Sequence, residues 1–135
     1  MNTSAVPAGM VLLPAQGSVA DAWTRLEAAV AERGLMVFAR IDFAADAATV
    51  GLPLRPTRLM VFGNPRAGTP LLAAAPTAAI DLPLKVVIWE DADGRVTAGY
   101  NSPAWIGPRH VPEELRARLQ AVEQLAAIAA GTADR

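Results

Sequence analysis

The chain has 135 residues, 53% of them hydrophobic, and a formal net charge of −1 at pH 7. This length suits one domain, and so large a hydrophobic fraction excludes an intrinsically disordered protein. The balanced charge gives no broad basic surface for a phosphate backbone, so we expect no nucleic-acid partner.

The scarcity of metal-binding side chains limits the cofactors. The sequence has no cysteine and one histidine, His110, which leaves no nitrogen and sulfur cluster for zinc or an iron–sulfur centre. Composition still admits a carboxylate-rich cation site or a haem with one axial ligand, but no pattern indicates either. We therefore predict no metal and no cofactor.

Membrane and export signals are weak in this sequence. The apolar runs are far shorter than the ~20 residues that a membrane span needs. Residues 1–8, expected to be a loose leader, lack the basic residues of a secretory signal. We expect a cytoplasmic protein without a membrane partner.

The first third of the chain predicts two strands around a helix. Residues 10–13 form a short apolar strand before a helix that Ser18 caps and Gly34 ends, with one apolar stripe. Residues 35–43 are apolar on both faces and become polar at their end. This pattern predicts an interior strand that opens towards a cleft or an edge.

The middle of the chain is punctuated by prolines. A short helix at residues 44–50 and an extended linker at 52–56 lead to a fully apolar strand at 59–62. Thr69 followed by a proline is typical of a helix start. The sequence therefore predicts a helix over residues 70–75, ended by the next proline.

The last third predicts a hairpin and a long helix. Strands at residues 84–90 and 95–100 flank a turn at 91–94. A short helical turn follows and is expected to break at Gly107 and Pro108. A final amphipathic helix is predicted over residues 112–131.

This order of elements predicts an α+β fold in one domain over residues 9–131. The expected architecture is a largely antiparallel sheet of about five strands with the two long helices on one face. In outline it is β-α-β(4)-α, with short extra helices.

The corner between the strand at 59–62 and the next helix is the first candidate site. Its residues, Gly63 to Thr69, resemble a phosphate loop, but the lysine of that motif is absent. A weaker oxyanion or carboxylate site would use the helix start at Thr69, helped by Arg66. The competing interpretation, which we favour, is a tight solvent-facing corner.

His110 is the one side chain that titrates near neutrality without help. It could act as a general base or a ligand, or simply pack in its loop, which we favour. A triad of Ser102, His110 and a carboxylate agrees with the composition, but Ser102 lacks the Gly-x-Ser-x-Gly elbow that exposes such a nucleophile.

Charged and amide side chains at strand positions form the last group of candidates. Lys85, Arg40 and Asp42 could line a cleft and hold an anion, or form an exposed edge or a structural ion pair. Asn101 stands at the end of a predicted strand. Polar groups at strand ends beside apolar walls are typical of small-ligand sites.

Five segments together resemble a known family. They are VFARID at 37–42, LMVFGNP at 59–65, GTPL at 68–71, IDLPLK at 80–85 and YNSP at 100–103. The combination is similar to the bacterial domain-of-unknown-function family 302, over residues 9–110. The resemblance implies a small β-α-β(4)-α fold and a homodimer, and it implies no established activity. A histidine often follows the Ile-Asp pair in such sequences, whereas Phe43 stands here, which argues against metal or acid–base chemistry.

Three hypotheses for the function follow. The one we favour is a homodimeric module that binds a small anionic or amphipathic ligand through Asn64, Arg66, Thr69, Lys85, Asn101 and His110. The first alternative is an enzyme that uses His110 with Asp42 or Lys85 in acid–base chemistry. The second is a structural dimer or a protein-interaction domain.

Overall fold

An antiparallel sheet of five strands is the frame of the molecule. The computed structural model describes residues 6–133. The strands are β1 (Met10–Ala15), β2 (Met36–Asp42), β3 (Thr57–Gly63), β4 (Leu84–Glu90) and β5 (Val96–Asn101), in the order β1-β5-β4-β3-β2. All neighbouring pairs are antiparallel. In this order β1 and β2 are the edge strands.

Helices connect the strands within this described part of the chain. They are α1 (Val19–Glu32), α2 (Phe43–Thr49), α3 (Pro65–Ala74), α4 (Pro103–His110) and α5 (Ala121–Ala130), with 3₁₀ helices at Pro76–Ile80 and Glu113–Leu119. The predicted α+β fold is confirmed. Of the predicted leader at 1–8, residues 1–5 lie outside the described residues.

One face of the sheet, the inner face, packs against α1 and α5. Alternate residues of each central strand point to this face, as the period of two in a strand requires. The largest fully buried side chains of this main core are Leu26, Val30, Met60, Phe62, Val86, Ile88, Val122, Leu125 and Ile128. The predicted apolar stripe of α1 is therefore its buried face, and the Ser18 capping box forms as expected.

The opposite face of the sheet, called the outer face below, is also apolar. Its strand residues alternate with those of the main core and are only partly buried; they include Leu12, Leu59, Val61, Val87 and Trp89. Gly99 lies on this face beneath Leu12 and Trp89.

No helix among residues 6–133 is both long and apolar enough to cross a bilayer.

β2 is an edge strand, so the predicted interior position is wrong. A bulge shifts its register between Val37 and Ala39. Beyond the bulge Arg40 therefore turns towards α1, where its guanidinium bonds the Glu27 carboxylate at 2.7 and 3.0 Å. Phe38, the residue that made both faces look apolar, is 48% exposed at the bulge.

α3 begins five residues before the predicted start. Asn64, not Thr69, is the N-cap: its side chain accepts a hydrogen bond from the Arg66 amide at 2.9 Å. Pro65 is the first helical residue, where its missing N–H costs nothing. Pro70 then lies inside the helix, where a proline removes a single backbone hydrogen bond. The predicted helix start at Thr69 is therefore wrong, and Thr69 lies within α3 instead of at its N-terminus.

α4 continues through the predicted break. Pro108 lies inside the helix, and the helix extends to His110. The Val111 N–H donates to the Gly107 carbonyl at 2.7 Å, so the turn that contains Pro108 is closed by a helical hydrogen bond. One proline removes one donor, and the flanking bonds keep the turn helical.

The final helix is divided instead of continuous. Residues Glu113–Leu119 form a 3₁₀ helix, and α5 begins only at Ala121. The tighter winding brings residues three apart into line. Arg116 therefore reaches back over Gly107, and its Nε donates to the Val111 carbonyl at 2.9 Å. Leu119 enters a second hydrophobic cluster.

This second cluster joins the short helices at one end of the sheet. Its buried residues come from α3, α4, both 3₁₀ helices and the residues that directly follow α3 and α4; they are Leu71, Ala75, Ala78, Ile106, Val111 and Leu119. Leu82 and Leu84 pack against it from the chain that enters β4. The cluster brings the polar residues of these connections close together.

Candidate functional site

A cavity of about 320 Å³ opens between α3, the start of β4 and the 3₁₀ helix at Glu113–Leu119. Its size is at the small end of the range for small-molecule sites. The walls are mainly apolar and include Phe38, Leu71, Leu72, Leu82, Leu84 and Leu119. The cavity therefore suits the hydrocarbon part of a ligand.

Three polar side chains line the same cavity: Asn64, Thr69 and Arg118. The Asn64 carbonyl oxygen caps α3, which leaves its amide group for another partner. Within residues 6–133 the Arg118 guanidinium and the Thr69 hydroxyl have no hydrogen-bond or ion-pair partner. Among the described residues, the only charged group on the lining is therefore the unpaired Arg118 guanidinium.

Lys85 and Asn101 lie together in a separate niche. It holds about 10 Å³, which is at most the room of one water molecule. The Lys85 Nζ donates to the carbonyls of Asp81 and Pro83 at 3.2 and 3.0 Å. Burial lowers the pKa of Lys85, and the Asp81 charge opposes this shift. The ammonium is thus held by backbone oxygens and does not reach the cavity lining.

His110 belongs to a third polar group, at the end of α4. Its Nε2 lies 2.6 Å from Asp81 Oδ2, and its Nδ1 lies 3.0 Å from the Thr77 hydroxyl. The side chains of His110 and Asp81 are only 6% and 12% exposed. Arg109 donates to the same Asp81 oxygen at 3.0 Å, and its guanidinium stacks over Trp105.

The acid–base pairs suggested for His110 do not form. Both ring nitrogens are engaged by Thr77 and Asp81, whereas Lys85 bonds backbone carbonyls. Asp42 lies at the end of β2, where it caps α2 and faces Arg58 at 3.6 Å. Ser102 caps α4 through its hydroxyl and does not contact His110, so the Ser102 triad is not formed either.

The six predicted site residues therefore divide among several places. Asn64 and Thr69 line the cavity, Lys85 and Asn101 line the niche, and His110 bonds Asp81. Arg66 is exposed on α3 and lines neither space. Within residues 6–133 no group of three or more His, Cys, Asp or Glu side chains is arranged to hold a metal ion.

Comparison with known proteins supports the fold and decides the family. The crystal structure of an uncharacterised conserved DUF302 protein from Bacillus stearothermophilus superposes with a TM-score of 0.75, over 94% of this chain and 99% of that one. Sequence identity is 16%, so this likeness shows the fold alone. The family described as "Domain of unknown function DUF302" matches residues 12–130. The chain belongs to the DUF302 family.

Curated relatives of this DUF302 chain are longer proteins. "Fluoride-specific ion channel FluC 1" of Brucella suis biovar 1 (strain 1330) is 40% identical over 107 residues, which are 79% of this chain and 42% of the relative. The protein of that name from Brucella abortus biovar 1 (strain 9-941) is also 40% identical over 107 residues, 40% of its length. The chain thus spans about two fifths of the length of these relatives.

Sequence reasoning missed three residues that the DUF302 fold brings to these sites. Asp81 stands in the IDLPLK segment, between a short helix and a strand, and belongs to none of the predicted candidate groups. Thr77 follows a proline that was taken as a helix end. Arg118 lies within the predicted final helix and likewise belongs to none of the predicted candidate groups. The available signals were a carboxylate just before a strand, and two arginines, Arg116 and Arg118, between leucines of the final helix.

Proposed function

We propose that this DUF302 domain binds a small amphipathic ligand with an anionic head group in the cavity. The supporting observation is the Arg118 guanidinium, which has no partner among residues 6–133 and lies on a mainly apolar lining. Apolar walls with a few polar groups that fix orientation are typical of small-molecule sites. The hydrocarbon part would contact the leucines of the cavity.

The head group would lie at Arg118. A guanidinium can hold a carboxylate through two parallel hydrogen bonds. The Asn64 amide and the Thr69 hydroxyl supply further donors on the same lining. Arg66, Lys85, Asn101 and His110 are left out of this site because none of them lines the cavity.

Decanoate and decanol are a matched pair of probes for this proposal. They share a hydrocarbon chain and differ in the charge of the head. We expect decanoate to bind in calorimetric titration, and Arg118→Gln to weaken it about tenfold, since a hydrogen bond to a charged group contributes about 1.5–3 kcal/mol. Decanol binding should change little in this variant. Arg66→Gln is the control, because Arg66 lies at the start of α3 and does not line the cavity.

A blocking variant locates the binding in the cavity. Gly68 lines the cavity, and a Cβ added there meets no atom within 4 Å. Gly68→Leu should therefore fill the space, keep the fold and abolish decanoate binding. Undiminished binding by Gly68→Leu, or equal losses in the Arg66 and Arg118 variants, would refute the proposal.

We also infer that two copies associate through the outer face of the sheet. Its apolar side chains, such as Val61, Val87 and Trp89, are only partly buried in the single chain. Of the strand residues on this face only Lys85 is charged, and backbone carbonyls hold its ammonium. A two-fold interface places the same patch on both subunits, so a face almost free of charge suits a second copy.

The oligomeric state of the purified protein tests this inference. We expect a dimer by native mass spectrometry, which also detects any small molecule that stays bound. Val87→Glu should give a monomer because it places like charges opposite each other. Val50→Glu adds the same charge at a residue that is 70% exposed after α2, and it should remain dimeric. A monomeric wild-type protein would exclude the dimer.

A further inference from the structure

The strongest unassigned group in the molecule is the chain Thr77–His110–Asp81. A hydroxyl, an imidazole and a carboxylate are joined in that order, with contacts of 3.0 Å and 2.6 Å. These lengths are those of direct hydrogen bonds. The group stands apart from the cavity, since none of the three residues lines it.

The neutral ring can satisfy both contacts in one tautomer only. The Asp81 carboxylate accepts, so Nε2 carries the proton and donates to Oδ2. Nδ1 is then unprotonated and accepts the hydrogen of the Thr77 hydroxyl. This leaves the ring nitrogen beside the hydroxyl free to act as a base.

The surroundings fix the ring and leave the hydroxyl open. His110 and Asp81 have nearly buried side chains, whereas Thr77 is exposed at the start of the 3₁₀ helix. Ala78, the next residue, is fully buried in the second cluster and anchors that helix. His110 is the last residue of α4.

We propose that Thr77 is a nucleophile, activated by His110 and oriented through Asp81, that takes an acyl group from a carboxylic ester. In serine hydrolases the nucleophile bonds Nε2 and the carboxylate bonds Nδ1. Here the two nitrogens exchange roles, which leaves the order hydroxyl, base, carboxylate unchanged. Threonine hydroxyls paired with a base serve as nucleophiles in enzymes.

The step balances with the groups present. Thr77 Oγ1 forms a bond to the carbonyl carbon of the ester while its proton moves to His110 Nδ1. The tetrahedral intermediate then breaks its bond to the alcohol oxygen, which takes the proton from Nδ1 as it leaves. The products are an acyl ester on Thr77 and the free alcohol, and no oxidant or metal takes part.

Acetylation by p-nitrophenyl acetate tests this proposal. We expect a burst of p-nitrophenolate and one acetyl group, which peptide mass mapping should locate on Thr77. Thr77→Val should abolish both, and Thr77→Ser should retain them. His110→Gln should slow the burst by about a hundredfold, the lower range for a general base. Asp81→Asn should also slow it, because the ring loses the partner that fixes its tautomer.

Two controls separate activation from chance acylation. Thr49 is an exposed threonine whose hydroxyl donates to the Asp46 carbonyl, so Thr49→Val should leave the burst unchanged. Lys85 is an amine with a lowered pKa and could be acetylated by itself. Acetyl on Lys85 or elsewhere with Thr77 unmodified would overturn the proposal. A burst in His110→Gln and Asp81→Asn that is as fast as in wild type would also overturn it, provided that circular dichroism shows both variants to be folded.

Discussion

The main core and the second cluster are built from different kinds of element. The main core lies between the inner face of the sheet and the helices α1 and α5, and the side chains assigned to it are almost all aliphatic or aromatic. The second cluster has six buried residues from two 3₁₀ helices and from α3 and α4, each of which contains an internal proline. Its elements are short and locally irregular.

The chemistry-bearing groups follow this division. The cavity, the Lys85 niche and the Thr77–His110–Asp81 chain all adjoin the second cluster. Functional segments of proteins tend to belong to the regions of lower local stability. Because the main core buries many more hydrophobic residues, we expect it to contribute more to the free energy of unfolding, whereas the smaller cluster adjoins the residues that could meet a ligand.

Two leucine truncations should show the largest difference between the clusters. Leu26, in the main core, and Leu71, in the second, are both almost fully buried. We expect Leu26→Ala to lower the free energy of unfolding by about 3–5 kcal/mol and Leu71→Ala by about 2–3 kcal/mol, because a site beside a cavity can relax. Urea denaturation measures both values.

Hydrogen exchange completes this test. Leu71→Ala should speed amide exchange in α3 and α4 more than in β4, since a small cluster opens locally. Leu52 is 62% exposed, so Leu52→Ala is the control, with an effect within about 0.5 kcal/mol. Equal losses and uniform exchange in both variants would mean that the two clusters unfold as one unit.

A glycine pair tests how firmly α4 is fixed to the sheet. Gly9 and Gly51 both have positive φ, at 82° and 75°. A Cβ on Gly9 would overlap the Trp105 ring of α4, whereas a Cβ on Gly51 meets nothing within 4 Å. Gly51→Ala should cost about 1–2 kcal/mol from backbone strain alone. Gly9→Ala should cost about 1–3 kcal/mol more, since it also overpacks the contact.

Thermal unfolding of the two variants measures this difference. If Gly9→Ala and Gly51→Ala lower the free energy of unfolding equally, α4 can move away from the new Cβ without a further loss of stability. The second cluster would then be a loosely held layer, and the distances in the Thr77–His110–Asp81 chain would vary. A clear excess for Gly9→Ala would instead tie α4 to the start of β1.

The same division explains what the sequence predicts well. The strands and α1 have regular apolar periods, and their burial follows those periods directly. The errors concern the edge strand β2, whose bulge breaks its period, and the helices α3, α4 and the final helix. In α3 and α4, Pro70 and Pro108 stand five residues after a proline at the first helical position. Each looked like a boundary, yet one missing donor does not end a helix whose neighbours pack in a cluster.

The candidate site was harder to predict because its contacts are long-range. Thr77 and His110 are 33 residues apart in sequence, and Asp81 and His110 are 29 apart. No local period brings such residues together. The predicted set contained the right histidine, but its partners depend on how α4 packs against the 3₁₀ helix. The register of the sheet alone does not determine that packing.

The smallest expected effect concerns the charge on Lys85. Burial lowers its folded-state pKa below the ordinary value of 10.5, so the ammonium costs stability at neutral pH. Between the lowered pKa and 10.5 the unfolded chain binds more protons, and stability should rise with pH in that window. Burial raises the pKa of Tyr100 above 10.0, so the contribution of Tyr100 to stability falls as the pH rises above 10.0.

Comparison of wild type with Lys85→Met isolates the lysine. Tyr100 is present in both proteins, so its contribution cancels in the difference of urea midpoints between about pH 8 and about pH 11. We expect wild type to gain stability relative to Lys85→Met as the pH rises. Parallel curves would show that the two carbonyl contacts of Nζ, at 3.2 and 3.0 Å, fully replace its hydration. The niche beside the second cluster would then stabilise the ammonium as well as water does. The second cluster and the main core would in that case differ in packing and not in their tolerance of a neighbouring charge.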